Sequence, residues 1–297
     1  MKAIRGYILL LIAAFIWGSA FVAQSDGMKY VEPFTYGAIR TLIGSLVLIP
    51  VIAVFRLKNR NNTKETKCYS NKNTVIGGIV CGFVLFAASS LQQIGITDST
   101  AGKAGFITAL YVVIVPLIGI VIGNKIKPVM WLFIAMAIAG FWMLCIKDGF
   151  SVALGDWLIL GCAVFFAIHI MVIDYFTEKQ TNGIEMACVQ FLVAGMLMLI
   201  CMFIFEKPEI NAILDAKISI LYAGVMSSGV AYTFQILGQK NTKPVIATLI
   251  MSLESVFAAL SGWLILGEVL SFKELAGCVL VIVAVVLAQL ADIKREE

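Results

Sequence analysis

Apolar residues fill this chain in stretches long enough to cross a bilayer, separated by short polar connections. A helix rising 1.5 Å per residue needs roughly 17 to 25 residues to span the hydrocarbon. Such stretches lie near 6–23, 34–55, 75–94, 102–123, 128–146, 155–174, 184–205, 216–237, 244–266 and 272–291. The pattern predicts an all-α membrane protein of ten transmembrane helices. The longest connection, about 56–74, carries Arg56, Lys58, Arg60, Lys64, Lys67 and Lys72 among Asn, Thr and Ser, and leaves no room for a separate ATPase or binding module.

Composition agrees with the pattern. Of 297 residues 61% are hydrophobic and 13% charged, with a mean hydropathy of +0.97, whereas a soluble domain is about a quarter charged. The net charge of +4 sits in short loops beside apolar runs, where it reports topology and not a nucleic-acid partner. With the N-terminus inside, 15 Lys and Arg fall on the inner side and 6 on the outer, and Arg40 lies within a span. Cytoplasmic loops of membrane proteins carry this excess, so both termini are expected in the cytoplasm, with the chain in the plasma membrane. Lys2 and Arg5 ahead of an apolar run, with Gly18-Ser19-Ala20 behind it, imitate a secretory leader, but the segment reads better as an uncleaved first helix. Cys81, Cys145, Cys162, Cys188, Cys201 and Cys278 lie in apolar runs and Cys68 in the basic loop. They have no metal-ligand spacing and read as small packing residues.

The chain repeats faintly at half its length. Gln92-x-x-Gly95 closes the third span and Gln235-x-x-Gly238 the eighth, while Gly123-Asn124 ends the fourth where Gly267-Glu268 ends the ninth. The expected units are 1–147 and 148–297. Each holds five helices, an odd number, so the second enters the membrane from the opposite side and the repeats are inverted. Two such halves can exchange conformations and open a central site to either side in turn. Gly78-x-x-x-Gly82, Gly119-x-x-x-Gly123 and Ala14-x-x-x-Gly18 bring small residues one turn apart, as close helix packing needs. Pro116 removes a backbone donor in the fourth span and should kink it.

Polarity singles out candidate path residues. The fifth and tenth spans are almost wholly apolar and suit lipid, leaving eight helices around a path. Glu254 lies about ten residues into the ninth span, where a charge costs on the order of 3 kcal/mol. Its face reads Ala247, Met251, Glu254, Ala258, Ser261, which suits either a substrate-ammonium or proton site or a protonated acid bonded to a neighbouring helix. Arg40, flanked by Gly37 and Gly44, either snorkels to the headgroups or points inward to hold a carboxylate bidentately. His169, the single histidine, is a packing residue or a proton relay. Trp17, Tyr111, Tyr232 and Gln235 could line a cavity, with interface anchoring the alternative for the aromatics. Asp174 belongs at the headgroups and needs no special role.

These residues resemble the EamA-type transporters of the drug/metabolite transporter superfamily over nearly the whole chain. Ala14-Phe15-Ile16-Trp17-Gly18-Ser19-Ala20-Phe21 is similar to the family's opening signature, and Arg40 falls where its second helix often carries Arg. Ser252-Leu253-Glu254-Ser255-Val256-Phe257-Ala258-Ala259-Leu260, continuing to Leu266-Gly267-Glu268 and Gly277, matches its longest motif. Ser255 stands where Pro is usual, which implies a straighter ninth helix, and Gly123-Asn124 replaces a common Gly-Glu. The resemblance implies ten helices around a central cavity lined by helices one to four and six to nine. It also implies transport of a small solute such as an amino acid, metabolite or drug, often outward. Zinc-protease, serine-hydrolase, intramembrane-aspartyl and phosphate-loop motifs are missing, so the expectation is a carrier and not an enzyme, with no cofactor and no metal. Its partners would be a small solute and the bilayer. Glu254 and His169 permit proton coupling, and a homodimer is compatible with the sequence without being indicated by it. A membrane receptor that moves no solute, or an intramembrane enzyme, is the rival reading.

Overall fold

The computed structural model describes residues 2–60, 69–99, 101–145, 153–240, 242–266 and 271–293. Its helices are α1 (Lys2–Gly27), α2 (Pro33–Arg60), α3 (Asn71–Ile96), α4 (Ala101–Ala109), α5 (Tyr111–Val121), α6 (Pro128–Cys145), α7 (Leu154–Thr177), α8 (Gly183–Phe205), α9 (Ile210–Asp215), α10 (Lys217–Tyr222), a π-helical segment Ala223–Ala231, α11 (Tyr232–Gln239), α12 (Pro244–Met251), α13 (Glu254–Leu266) and α14 (Phe272–Ile293). In hydrocarbon every backbone N–H and C=O must be satisfied within the protein, and helices do this segment by segment. Among the described residues, nine helical stretches are long and apolar enough to cross a membrane, and α6 supplies a shorter tenth through Pro128–Met143. Spans four, eight and nine are composite: α4 with α5, α10 with the π segment and α11, and α12 with α13. The expected boundary at 147/148, Cys68 and Gly267-Glu268 lie outside the described residues.

The packing has an internal two-fold pattern. Span three packs on spans six and seven, and span eight packs likewise on spans one and two. Span four meets span six as span nine meets span one, and the pairs two with seven, four with nine and five with ten each join equivalent helices. Glycines mark the matching crossings. A Cβ at Gly95 would lie 2.7 Å from the Gly155 carbonyl oxygen, and one at Gly238 would lie 3.0 Å from that of Gly6. Gln92 and Gln235 lie one turn before these glycines, so the two repeat motifs are equivalent crossings of three on six and eight on one. Since five crossings separate equivalent helices, the halves run in opposite directions. Spans five and ten pack on each other at one side, away from the centre.

Three local expectations change. The ninth span is not straight: it breaks at Ser252 and Leu253, where Leu253 N–H reaches back only to Ile250 O and Ser255 N–H to Ser252 O. Serine and threonine hydroxyls bond back to the helix at this break. Thr248 Oγ1 donates to Val245 O at 2.9 Å and Ser252 Oγ to Leu249 O at 2.8 Å, and such back-bonding bends helices. The face from Ala247 to Ser261 is therefore interrupted at Glu254. Span four breaks at the matching turn, at Leu110 with φ −61 and ψ −12, which precedes Tyr111 as Leu253 precedes Glu254; Pro116 lies six residues farther on. Gly119-x-x-x-Gly123 is a helix terminus and not a packing motif. Asn124 N–H bonds Gly119 O, Gly123 N–H bonds Ile120 O and Gly123 has φ +93, the Schellman arrangement that ends helices.

The two halves differ in one element. Gly82 in α3 packs on the carbonyl of Gln190 and on Val193, and Gly224 packs equivalently on the carbonyl of Arg40 and on Ile43. From Gly224 to Gln235 there is one more residue than from Gly82 to Gln92. Both ends of that stretch are held by helix crossings, so the extra residue is absorbed by widening the helix. This accounts for the π segment Ala223–Ala231, a geometry that usually arises as a local bulge and frequently at functional sites.

Candidate functional site

A cavity lies between the halves. Spans one, two, three, four, six, eight and nine line it, and the lining carries the two-fold pattern. Trp17 and Phe166, Phe21 and Ile170, Gln92 and Gln235, Thr108 and Met251, and Tyr111 and Glu254 all face it, and each of these pairs occupies equivalent positions of the two repeats. Arg40, Gln24, Ser227 and Tyr232 complete the wall.

The pair nearest the two-fold axis is Tyr111 and Glu254, 143 residues apart, which begin α5 and α13 just after the two helix breaks. The Tyr111 hydroxyl donates to Glu254 Oε1 at 3.0 Å. Each repeat thus contributes a side chain from the same place in its broken helix, one a phenol and one a carboxyl. Glu254 is 5% exposed, and Tyr111 is its side-chain partner. Span one sets its position, because a Cβ on Gly18 would fall 2.7 Å from the Glu254 carbonyl oxygen and 2.5 Å from Phe257 Cβ. Only a glycine lets the two helices touch there, which gives the Trp17-Gly18 motif a structural meaning.

Arg40 does not snorkel. It is 6% exposed, its carbon Cζ lies 5.6 Å from the centre of the Tyr36 ring, and its Nε has no hydrogen-bond partner among the described residues. Nor does it form an ion pair there, with Glu254 or any other acid. Tyr36 is held by donating to the Ser219 carbonyl at 3.3 Å, with Ser219 Oγ 3.0 Å away. A buried cation without a counter-ion is costly unless a ligand supplies one. Trp17 Nε1, Gln24 Oε1 and Gln235 Oε1 are likewise buried without partners, so the wall offers donors and acceptors together. Trp17 stacks edge-on against Tyr232 with centroids 4.8 Å apart, giving an aromatic surface beside the polar groups.

Of the residues singled out by sequence, Glu254, Arg40, Trp17, Tyr111, Tyr232 and Gln235 meet at this cavity, and His169 does not. His169 is fully buried, with Nε2 3.0 Å from Gln190 Oε1, and the Tyr232 ring lies edge-on beside it. The same shielding corrects the expectation of eight lining helices, because α8 contributes none of the lining. Its Gln190 is turned to His169, and its Phe191 packs on Tyr232. Phe21, Gln24, Gln92, Thr108, Phe166, Ile170, Ser227 and Met251 line the cavity without having been candidate path residues. Gln92 was within reach of the repeat offset applied to Gln235, whereas Phe166 lies 149 residues from Trp17 and not 143. Gln24, Thr108 and Ser227 carry no signal beyond mild polarity in an apolar span, and Phe21, Ile170 and Met251 carry no polar signal at all.

Comparison with known proteins follows the same division into halves. The profile of the EamA-like transporter family matches residues 4–146 and again 153–290. An uncharacterized transporter of Archaeoglobus fulgidus is 27% identical over 98% of this chain and 87% of its own length. The uncharacterized transporter YoaV of Bacillus subtilis is 24% identical over 95% and 94%, and the WAT1-related protein At3g02690 of Arabidopsis thaliana is 23% identical over 96% and 70%. A solved crystal structure superposes with a TM-score of 0.78 at 18% identity, covering 98% of this chain and 99% of that one, and shares the fold. A helical membrane protein of two inverted five-helix repeats, each matched by one profile, the chain belongs to the EamA-like transporter family.

Proposed function

We propose that the protein is a secondary carrier working by alternating access on small polar metabolites that bear a carboxylate and an amine, amino acids or related compounds. The observation that carries this reading is one cavity holding an unpaired buried guanidinium, Arg40 from the first repeat, and a carboxyl, Glu254 from the second. A solute with both charges satisfies both groups, Arg40 binding its carboxylate through a forked pair of N–H donors and Glu254 exchanging Tyr111 for its ammonium. The aromatic faces of Trp17 and Tyr232 suit the solute's apolar part. The excess of Lys and Arg on the face bearing Lys2 and Ile293 supports a cytoplasmic placement of both ends in the plasma membrane. The family resemblance makes export the direction to test first.

Proteoliposomes assayed with labelled amino acids, with and without a pH gradient, test the reading. Accumulation of at least one amino acid is expected, reduced about thirtyfold or more at low solute in Arg40→Lys, since a point charge replaces a fork and about 2 kcal/mol is lost. Glu254→Gln is expected to lower uptake and flatten any response to the pH gradient. Full transport in both variants, or no movement of any amino acid by the wild type, would overturn the assignment. Uptake indifferent to the gradient would mark a facilitator in place of a proton-coupled carrier.

A further inference from the structure

The lining residues are two-fold related at the centre of the cavity and at one end they are not. Toward the face opposite Lys2 and Ile293 the cavity extends to Gln24 and Arg40. Their repeat equivalents toward the other face are Ile173 and Gln190, and both are fully buried outside the cavity. The equivalence of Arg40 with Gln190 is fixed by packing, since Gly224 sits on the carbonyl of the first as Gly82 sits on that of the second. Where the first repeat has Ala20, the second has His169, at the same separation as Trp17 from Phe166. The two ends of one symmetric path therefore differ: the cavity reaches Gln24 and Arg40, whereas the Tyr232 ring lies beside His169 and Gln190 stays outside the lining.

The closed end is polar and incompletely bonded. His169 Nδ1 and Gln190 Nε2 are buried and have no partner among the described residues. Whichever way the Gln190 amide is turned, the single His169–Gln190 hydrogen bond leaves at least one donor and one acceptor unused. A pair kept only for packing would be cheaper as two apolar side chains, because each unmade buried hydrogen bond costs about 1 to 3 kcal/mol.

We propose that His169 and Gln190 form a second solute subsite, the counterpart of Arg40, which is sealed in this conformation and lines the path when the halves exchange conformations. The proposal rests on the alternating-access reading, since inverted repeats interconvert by each half adopting the other's conformation. In the exchanged state α8 joins the wall through Gln190, Tyr232 moves off the His169 ring, and the end at Gln24 and Arg40 closes. The subsite is neutral, with at least one donor and one acceptor, and takes a hydrogen-bonding polar group of the solute where Arg40 takes its carboxylate.

His169 is the only histidine, so its accessibility can be read on the full chain without background. Proteoliposomes are treated with diethyl pyrocarbonate and carbethoxylation of the His169 peptide is followed by mass spectrometry, in wild type and in Gln24→Ile/Arg40→Gln, which gives the open end the residues of the sealed one. Shifting the balance between two states by about 1.4 kcal/mol changes their ratio about tenfold, and a rise of that order in the His169 rate is expected, with a thermal midpoint no lower than that of the wild type. An equal rate in the two proteins would overturn the proposal. Where the double variant does not elute as a single folded species, Gln24→Ile alone is read the same way, with a smaller rise expected and an unchanged rate again decisive. The transport reading fails separately: a protein that moves no amino acid yet opens at His169 refutes that reading alone, and one that transports with His169 equally unreactive in both proteins refutes the subsite alone.

Discussion

The two repeats share a scaffold and divide the chemistry between them. Equivalent crossings are marked by equivalent glycines, and equivalent helix breaks present Tyr111 in one repeat and Glu254 in the other. The charged side chains of the cavity are where this symmetry fails, because Arg40 has a neutral amide as its counterpart and Glu254 a phenol. A glutamate in place of Tyr111 would set two like charges in contact, where they repel, and an arginine in place of Gln190 would be buried without a partner. Divergence at two positions leaves one cation and one acid, and the remaining paired positions keep the shape the two halves need to interconvert.

Exchanging residues between equivalent positions tests that comparison most severely at Arg40 and Gln190. Gln190→Arg puts an unpaired guanidinium beside Phe191 and His169, and a buried charge without a partner costs about 3 to 5 kcal/mol. The expected outcome is a large fall in thermal midpoint or loss of a monodisperse species in size exclusion. Arg40→Gln at the open end is expected to keep the fold, or stabilise it, while transport falls. Equal tolerance at the two positions would mean that Gln190 is not closed off as the structure has it.

Gly18 and its equivalent, Ala167, form the next test. Gly18→Ala drives a methyl group into the Glu254 carbonyl and Phe257, an overpacking worth about 1 to 3 kcal/mol, and displaces Glu254 from Tyr111. Ala167→Gly removes a buried methyl from a helix at a cost of about 1 kcal/mol. Urea or thermal unfolding should rank them in that order, and only Gly18→Ala should impair transport strongly. The reverse order would show that spans one and nine are not held together at Gly18.

How much of this was legible in the sequence depends on what each feature rests on. The spans rest on hydrocarbon thickness and the cost of charge, both visible in residue type, and the apolar fifth and tenth spans were correctly set aside from the centre. The repeat was visible at Gln92-x-x-Gly95 and Gln235-x-x-Gly238 because a helix crossing selects glycine. The break in span nine was not, since it goes with hydroxyls turning back to their own helix and not with the proline the family usually carries. His169 was a candidate for the path with two readings, a packing residue or a proton relay, and residue type alone does not choose between them. Its position behind Tyr232 is decided by a side chain from another span, which no local pattern reports. The π segment was countable as one surplus residue, but only once packing had identified Gly82 and Gly224 as equivalents.

That surplus residue gives an intermediate effect. Deleting Met226 restores the first repeat's spacing between the held glycine and the glutamine, so span eight should become continuous α-helix with Gln235 still at the cavity. The protein is expected to fold and to lose the present placement of Ser227, changing the apparent affinity for solute more than the stability. A deletion that unfolds the protein would show that the π segment is required by the crossings and is not merely the way one extra residue is accommodated.

The smallest effects belong to the two ends of the helix pair two and seven, where the same junction is closed by different chemistry. At one end Glu206 accepts from the backbone N–H groups of Phe34 and Thr35, both at 2.6 Å, and from Thr35 Oγ1 at 2.7 Å. It caps the start of α2, where free N–H groups and the helix dipole favour an anion. At the other end the equivalent positions are Arg56 and Glu185, joined by an ion pair of 2.8 Å whose arginine side chain is 69% exposed. Losing the cap in Glu206→Gln should cost about 1 to 2 kcal/mol, whereas Arg56→Ala should cost about 0 to 1 kcal/mol because water and salt screen an exposed pair. Thermal midpoints in low and high salt separate them: the Arg56 effect should vanish at high salt and the Glu206 effect persist.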